Sequence, residues 1–134
     1  MNGFALELLD AGRRERVEGV TSFVGEDASG SFGLLASHAP MLAILEPGLA
    51  RFRRGDAPWQ YIATPGAVVR FRDNLLSLST RRYFLGADDE AILHSLQHQL
   101  DEEADLHLAI DNLRQMEQDM LKRLWELQRH GGMP

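Results

Sequence analysis

Ser31-Phe32-Gly33-Leu34-Leu35-Ala36-Ser37-His38-Ala39-Pro40-Met41-Leu42, closed by Glu46-Pro47-Gly48, is the stretch on which the fold turns. It reads as an apolar strand, a turn carrying a histidine and a proline, a second apolar run and a Pro-Gly corner. The surrounding sequence has the same texture. From Phe4 to about Ser79, short segments rich in Val, Leu, Phe and Thr are separated by turn residues at roughly eight- to twelve-residue intervals, the spacing of an all-beta domain. Phe4, Leu6 and Leu8 alternate with Ala5 and Glu7, and Gly12-Arg13 turns the chain into Glu15–Val24. Arg54-Gly55-Asp56 separates two further strands. Val69 and Phe71, then Asp73-Asn74, then Leu76 and Leu78 predict a hairpin with its apolar side chains on one face and Arg70, Arg72 and Ser77 on the other.

After Gly86 the period changes. Leu93, Leu96 and Leu100 fall at helical spacing behind Asp88-Asp89-Glu90, where carboxylates favour a helix N-terminus. Leu106, Ala109, Leu113, Met116, Met120, Leu124 and Leu127 continue as one stripe toward Gly131-Gly132, an amphipathic pattern. No Gly or Pro occurs from Ala87 to His130, so propensity alone allows a single rod on the order of 65 Å long at 1.5 Å per residue; only Asp101-Glu102-Glu103 interrupts the stripe. The expected class is α+β, an all-beta sandwich over residues 1–86 followed by a helical domain over 87–134.

Composition bounds the function. A chain of 134 residues, 44% hydrophobic and 25% charged, is long enough for a core but short for a large enzyme with a separate cofactor domain. There is no cysteine, hence neither a disulfide frame nor a thiolate metal site. The first residues lack a basic n-region, and no run approaches the roughly 18 apolar residues of a membrane span, so membrane association is expected through a partner. The formal charge of −6 is uneven: residues 1–86 hold ten Lys or Arg against nine Asp or Glu, residues 87–134 four against eleven. Neither half is basic enough to point to nucleic acid.

Catalytic chemistry finds little support. The only lysine, Lys122, lies in a helical pattern, so no P-loop exists to hold phosphates. Ser37 beside His38 has no nucleophile-elbow context. His94 and His98, four apart, have a metal-ligand spacing, yet Ser95 follows His94 and no third ligand is indicated, so two solvated histidines are the expectation. No cofactor and no metal are expected. His38 by itself reads as a loop histidine whose ring bonds a neighbouring carbonyl and fixes the turn before Pro40.

Gly30, Phe32-Gly33-Leu34-Leu35, His38-Ala39-Pro40, Leu42 and Pro47-Gly48 match, in order and spacing, the segment Gly-acidic-x-Gly-Ile-Leu-x-x-His-Ala-Pro-Leu-Leu followed by Pro-Gly. In this the chain resembles the epsilon subunit of F-type rotary ATP synthases. The resemblance implies a flattened two-sheet sandwich and two helices that fold as a hairpin or extend, with a break near Asp101 to Asp105. It implies a noncatalytic central-stalk subunit of a proton- or sodium-translocating synthase, at the cytoplasmic face of the bacterial inner membrane, whose sandwich couples the gamma subunit to the membrane ring. Ser31, Phe32, His38 and Pro40 are the implied contacts to gamma and ring; Ser31 stands where the family commonly has an acidic residue. Lys122 and Arg123 are the implied regulatory contacts to the beta subunit. Ile110-Asp111-x-x-Arg114 superficially matches a segment with which some members sense ATP, but Gln115 replaces the alanine and the segment falls in the second helix. Asp111 and Arg114 otherwise read as an exposed helical pair. Two alternatives remain open: a free-standing module in which a beta domain presents a helical hairpin to a partner, and a small-molecule sensor.

Overall fold

The computed structural model describes residues 3–131. Ten strands precede one helix: β1 (Phe4–Leu9), β2 (Arg14–Val20), β3 (Ser22–Asp27), β4 (Gly30–Leu35), β5 (Met41–Leu45), β6 (Gly48–Arg53), β7 (Gln60–Thr64), β8 (Ala67–Arg72), β9 (Leu75–Thr80), β10 (Phe84–Gly86) and α1 (Asp89–Gly131). They form two five-stranded sheets, ordered β2-β1-β9-β8-β5 and β10-β7-β6-β3-β4. The expected sandwich is present.

Alternation builds it. In β8, Ala67, Val69 and Phe71 point inward while Val68, Arg70 and Arg72 point out. Asp73 and Asn74 close the hairpin at φ 52° and 55°, the left-handed pair that matches strand twist in a two-residue turn and that Asn and Asp tolerate. Register then sets Val69 opposite Leu78 and Phe71 opposite Leu76. Phe23, Phe52, Phe71, Leu6, Leu34 and Ile62 form the centre of the core with almost no exposure. Phe4 meets Phe71 edge to face at 5.3 Å. Gly25 sits where a Cβ would lie 2.8 Å from Leu45 and 3.0 Å from Phe32, so only a hydrogen fits between those side chains.

β1 is an interior strand of the first sheet, antiparallel to β2 and parallel to β9. Its second face is buried as well: Ala5 and Glu7, on the side expected to be open, are almost unexposed. Glu7 tolerates this because Arg14, the first residue of the neighbouring β2, holds its carboxylate through Nε at 2.5 Å and through a second guanidinium nitrogen.

The C-terminal part differs from expectation in one respect. The family resemblance implies a two-helix hairpin, whereas α1 is one continuous helix of 43 residues. The apolar stripe is interrupted at Asp101-Glu102-Glu103, but Glu and Ala propagate helix well and no Gly or Pro stops the ladder, so a change of face is not a change of backbone. The chain divides into two compact units, 1–98 and 99–134. In the first, Asp88 caps α1 by accepting from the Ala91 amide at 3.2 Å, and Ile92 and Leu96 are buried. Gly86 leaves room for Ile92, whose Cγ2 would be 2.9 Å from a Cβ there. In the second unit the stripe from Leu106 to Leu127 is exposed. α1 ends at Gly131, and Gly132 lies outside the described residues.

Candidate functional site

The loop between β4 and β5 is built as the histidine reading anticipates. Ser37 takes φ 66°, and its amide donates to Asn74 Oδ1 at 2.6 Å, tying this loop to the β8–β9 turn. His38 Nδ1 lies 2.7 Å from the Ala39 carbonyl oxygen, and its ring stands perpendicular to Phe71 at 6.0 Å. His38 and Pro40 are exposed. Pro40 also borders a hollow of about 610 Å3 with Met41, Leu42, Arg70, Phe71 and Arg72.

Ser31 and Phe32 are elsewhere. Both belong to β4, Ser31 opposite Glu26 and Phe32 opposite Gly25. Ser31 is exposed, while Phe32 is half-buried against Phe23 at 6.5 Å. From Ser31 to the end of β4 at Leu35 is about 13 Å of strand at 3.3 Å per residue. The four residues read as one contact loop thus form two groups at opposite ends of a strand.

A feature invisible in the sequence lies on the outer face of the first sheet. Leu42 and Ile44 of β5 are each 70% exposed and Val68 of β8 is 45% exposed. Register places Ile44 opposite Val68 and Leu42 opposite Arg70, with Ser77 and Ser79 next along the rows. The result is an exposed apolar strip at the sheet edge beside a row of serines. Met41–Leu45 is an unbroken apolar run, so periodicity cannot reveal which residues face out.

At the β1–β2 turn, Asp10 accepts from the Gly12 and Arg13 amides at 2.9 and 2.8 Å. The Gly12 amide above all, with the Arg13 amide and guanidinium, holds its carboxyl below the usual range. Arg13 stacks over Tyr83 at 4.2 Å and donates to the Tyr83 carbonyl at 2.7 Å. The Tyr83 hydroxyl donates to Glu15. Burial first, then that bond, push the phenol up to about 12. Asp10, Gly12, Arg13 and Tyr83 border a cleft of about 600 Å3 shared with Arg81, Arg82 and Ser95. Asp111 and Arg114 are not among its lining residues.

A family model for the ATP synthase delta/epsilon chain, beta-sandwich domain, matches residues 4–85. The chain belongs to this family. It is 42% identical over 72 residues to ATP synthase epsilon chain 2 of Cereibacter sphaeroides, covering 53% of this chain and 49% of that one. Against the ATP synthase epsilon chain of Streptomyces coelicolor it is 33% identical over 90 residues, 65% and 71% of the two chains. It thus spans about half the length of several curated relatives it matches. Chains in two solved assemblies share the fold: the Euglena gracilis mitochondrial ATP synthase OSCP/F1/c-ring, with a TM-score of 0.61 at 18% identity over 79% of this chain and 66% of that one, and the Tetrahymena thermophila mitochondrial ATP synthase central stalk and c-ring, with 0.52 at 14% over 63% and 69%.

The delta/epsilon match ends at Leu85, before α1 begins. On that helix Asp111, Arg114, Lys122 and Arg123 are exposed, and Ile110–Arg114 occupies the middle of α1 rather than its start. His94 and His98 are exposed as well, and no group of three or more metal-ligating side chains occurs among the described residues. No helix among them is long and apolar enough to cross a membrane.

Proposed function

We propose that the chain is a noncatalytic rotor subunit in the central stalk of a proton- or sodium-translocating ATP synthase. Its sandwich joins the gamma subunit to the membrane ring, and its helical segment regulates ATP hydrolysis at the beta subunit. It is held at the cytoplasmic face of the bacterial inner membrane through the complex. The single observation that carries this reading is the family match across residues 4–85.

Physical support comes from the outer face of the first sheet. Leu42, Ile44 and Val68 are apolar and accessible, and covering each such side chain contributes about 1.5–3 kcal/mol when burial is complete. In this reading the strip seats on gamma, with His38 and Pro40 at its margin and Ser31 and Phe32, at the other end of β4, turned to the ring. Mechanical coupling needs a stiff body between two partners, and two sheets packed face to face over a core whose residues are almost unexposed supply one. In the regulatory part, Lys122 and Arg123 meet acidic side chains of the beta subunit, with residues 1–86 as the coupling domain and 87–134 as the regulatory one.

A tagged pull-down from native membranes, with partners identified by mass spectrometry, tests it. Recovery of gamma together with alpha, beta and ring subunits is the expected result. Recovery of none of them from membranes that retain an intact synthase overturns the reading and favours a free-standing interaction module.

A further inference from the structure

We propose that the outer face of the second sheet is a docking site for an acidic helix of a partner protein, gripped by Arg51 and Arg53 where both stack on Trp59. The two arginines alternate with the buried Ala50 and Phe52 along β6 and so share the outward face, about 6.7 Å apart along the strand. Their guanidinium carbons lie 4.5 and 4.9 Å from the Trp59 ring centroid. Stacking occupies the flat faces of the guanidinium groups and fixes their orientation, leaving the in-plane N–H donors at their edges. Among the described residues neither has a carboxylate within ion-pair distance, whereas Arg13, Arg14, Arg16 and Arg72 each do. Two preorganised forks without acceptors match two carboxylates.

Spacing and surroundings select the partner. Side chains three or four apart on a helix stand about 5–6 Å from each other, close to the separation of Arg51 and Arg53. Next to Arg51 is a hollow of about 290 Å3 lined by Val24, Leu49 and Tyr61 together with the polar Ser31 and Glu26; Glu26 is not within ion-pair distance of either arginine. Its Val24, Leu49 and Tyr61 wall can take an apolar side chain beside the acidic pair, while Glu26 disfavours a third carboxylate there. A lipid headgroup brings negative charge but nothing to fill that hollow, so a helix carrying Asp or Glu one turn apart with a Leu or Phe alongside is the better fit.

The test uses the full chain and a fluorescein-labelled, alanine-based monomeric helix with two Glu one turn apart and an adjacent Leu, followed by anisotropy. Saturable binding is expected. R51Q/R53Q should weaken it at least about tenfold, since two charge-assisted bonds are lost. R70Q/R82Q, on other surfaces, should leave it unchanged, and thermal melts check that both variants fold. Equal binding of the peptide with Gln for Glu, equal binding by R51Q/R53Q, or no binding overturns the proposal. Binding only to vesicles of mixed phosphatidylcholine and phosphatidylglycerol overturns it in favour of a lipid surface. Dimerisation in sedimentation that R51Q/R53Q abolishes overturns it in favour of a second copy of this chain.

Discussion

Replacing Tyr83 with Phe removes one oxygen from a side chain that is otherwise fully enclosed, and the surroundings of that oxygen fix the outcome. At pH 7 the phenol donates to the Glu15 carboxylate. A bond to a charged acceptor contributes about 1.5–3 kcal/mol, but the Glu15 side chain is 42% exposed and water replaces part of the loss, so a destabilisation of about 1–2 kcal/mol is expected. In alkali the order changes. The phenol titrates near 10 in the unfolded chain and is pushed up to about 12 in the fold. A raised folded value means that the unfolded state releases its proton first, so the stabilisation is complete below pH 10 and lost as pH rises through 12. The linkage gives a loss of about 1.4 kcal/mol by pH 11, which Tyr83→Phe cannot suffer. Urea unfolding of both proteins at pH 8 and pH 11 measures the difference, and Tyr61, present in both, cancels. The gap between wild type and variant should shrink by about 1.4 kcal/mol. An unchanged gap, or a variant as stable as wild type at pH 8, refutes the account of the Arg13–Tyr83–Glu15 cluster.

Gly25→Val should destabilise by about 1–3 kcal/mol through overpacking against Leu45 and Phe32, read as a fall in Tm. Asn74→Ala should cost about 1–2 kcal/mol, because it loses the acceptor for the Ser37 amide and a residue suited to positive φ; faster hydrogen exchange at Ser37 is the local sign, and an unchanged rate counts against it. Leu42→Ser with Ile44→Ser should leave Tm nearly unchanged, since both are exposed, while lowering recovery of gamma in the pull-down; full recovery removes this strip from the proposed interface. Deleting residues 99–134 should raise ATPase activity of the assembled synthase if the helix restrains hydrolysis, and equal activity argues against regulation.

Much of the sandwich was legible because local chemistry agreed with tertiary position. Asp73-Asn74 names its own turn, and the alternation on either side of it fixes which face is inside. Legibility failed where neighbours, and not the segment itself, decide. Glu7 reads as a solvent position, yet β2 and Arg14 close over it. Met41–Leu45 carries no polar residue to mark its outer face, so the exposure of Leu42 and Ile44 follows only from β5 standing at the sheet edge. Arg51, Arg53 and Trp59 come together because the β6–β7 connection returns Trp59 over the strand, which spacing does not encode. The bond of His38 to the neighbouring Ala39 carbonyl is legible because both groups lie in the same short loop. Ser31 and His38 read as one loop because nearness along the chain resembles nearness in space, and a strand lies between them. The expected break in α1 rested on side-chain pattern, while helix continuity is a backbone property.

The parallel pairing of β1 with β9 has a consequence for how the chain acquires its structure. Hairpins such as β3–β4 and β8–β9 close over a few residues, but Ala5 meets Leu75 and Leu9 meets Ser79, contacts separated by 70 residues. Loop-closure entropy must be met before such contacts stabilise anything, and folding slows as their share grows. During synthesis the first strand can pair only with β2, and its other edge stays open until β9 has emerged. Docking of β9 beside β1 is therefore the expected slow step, and the interval before it is when the nascent chain is most open to aggregation and to chaperone binding.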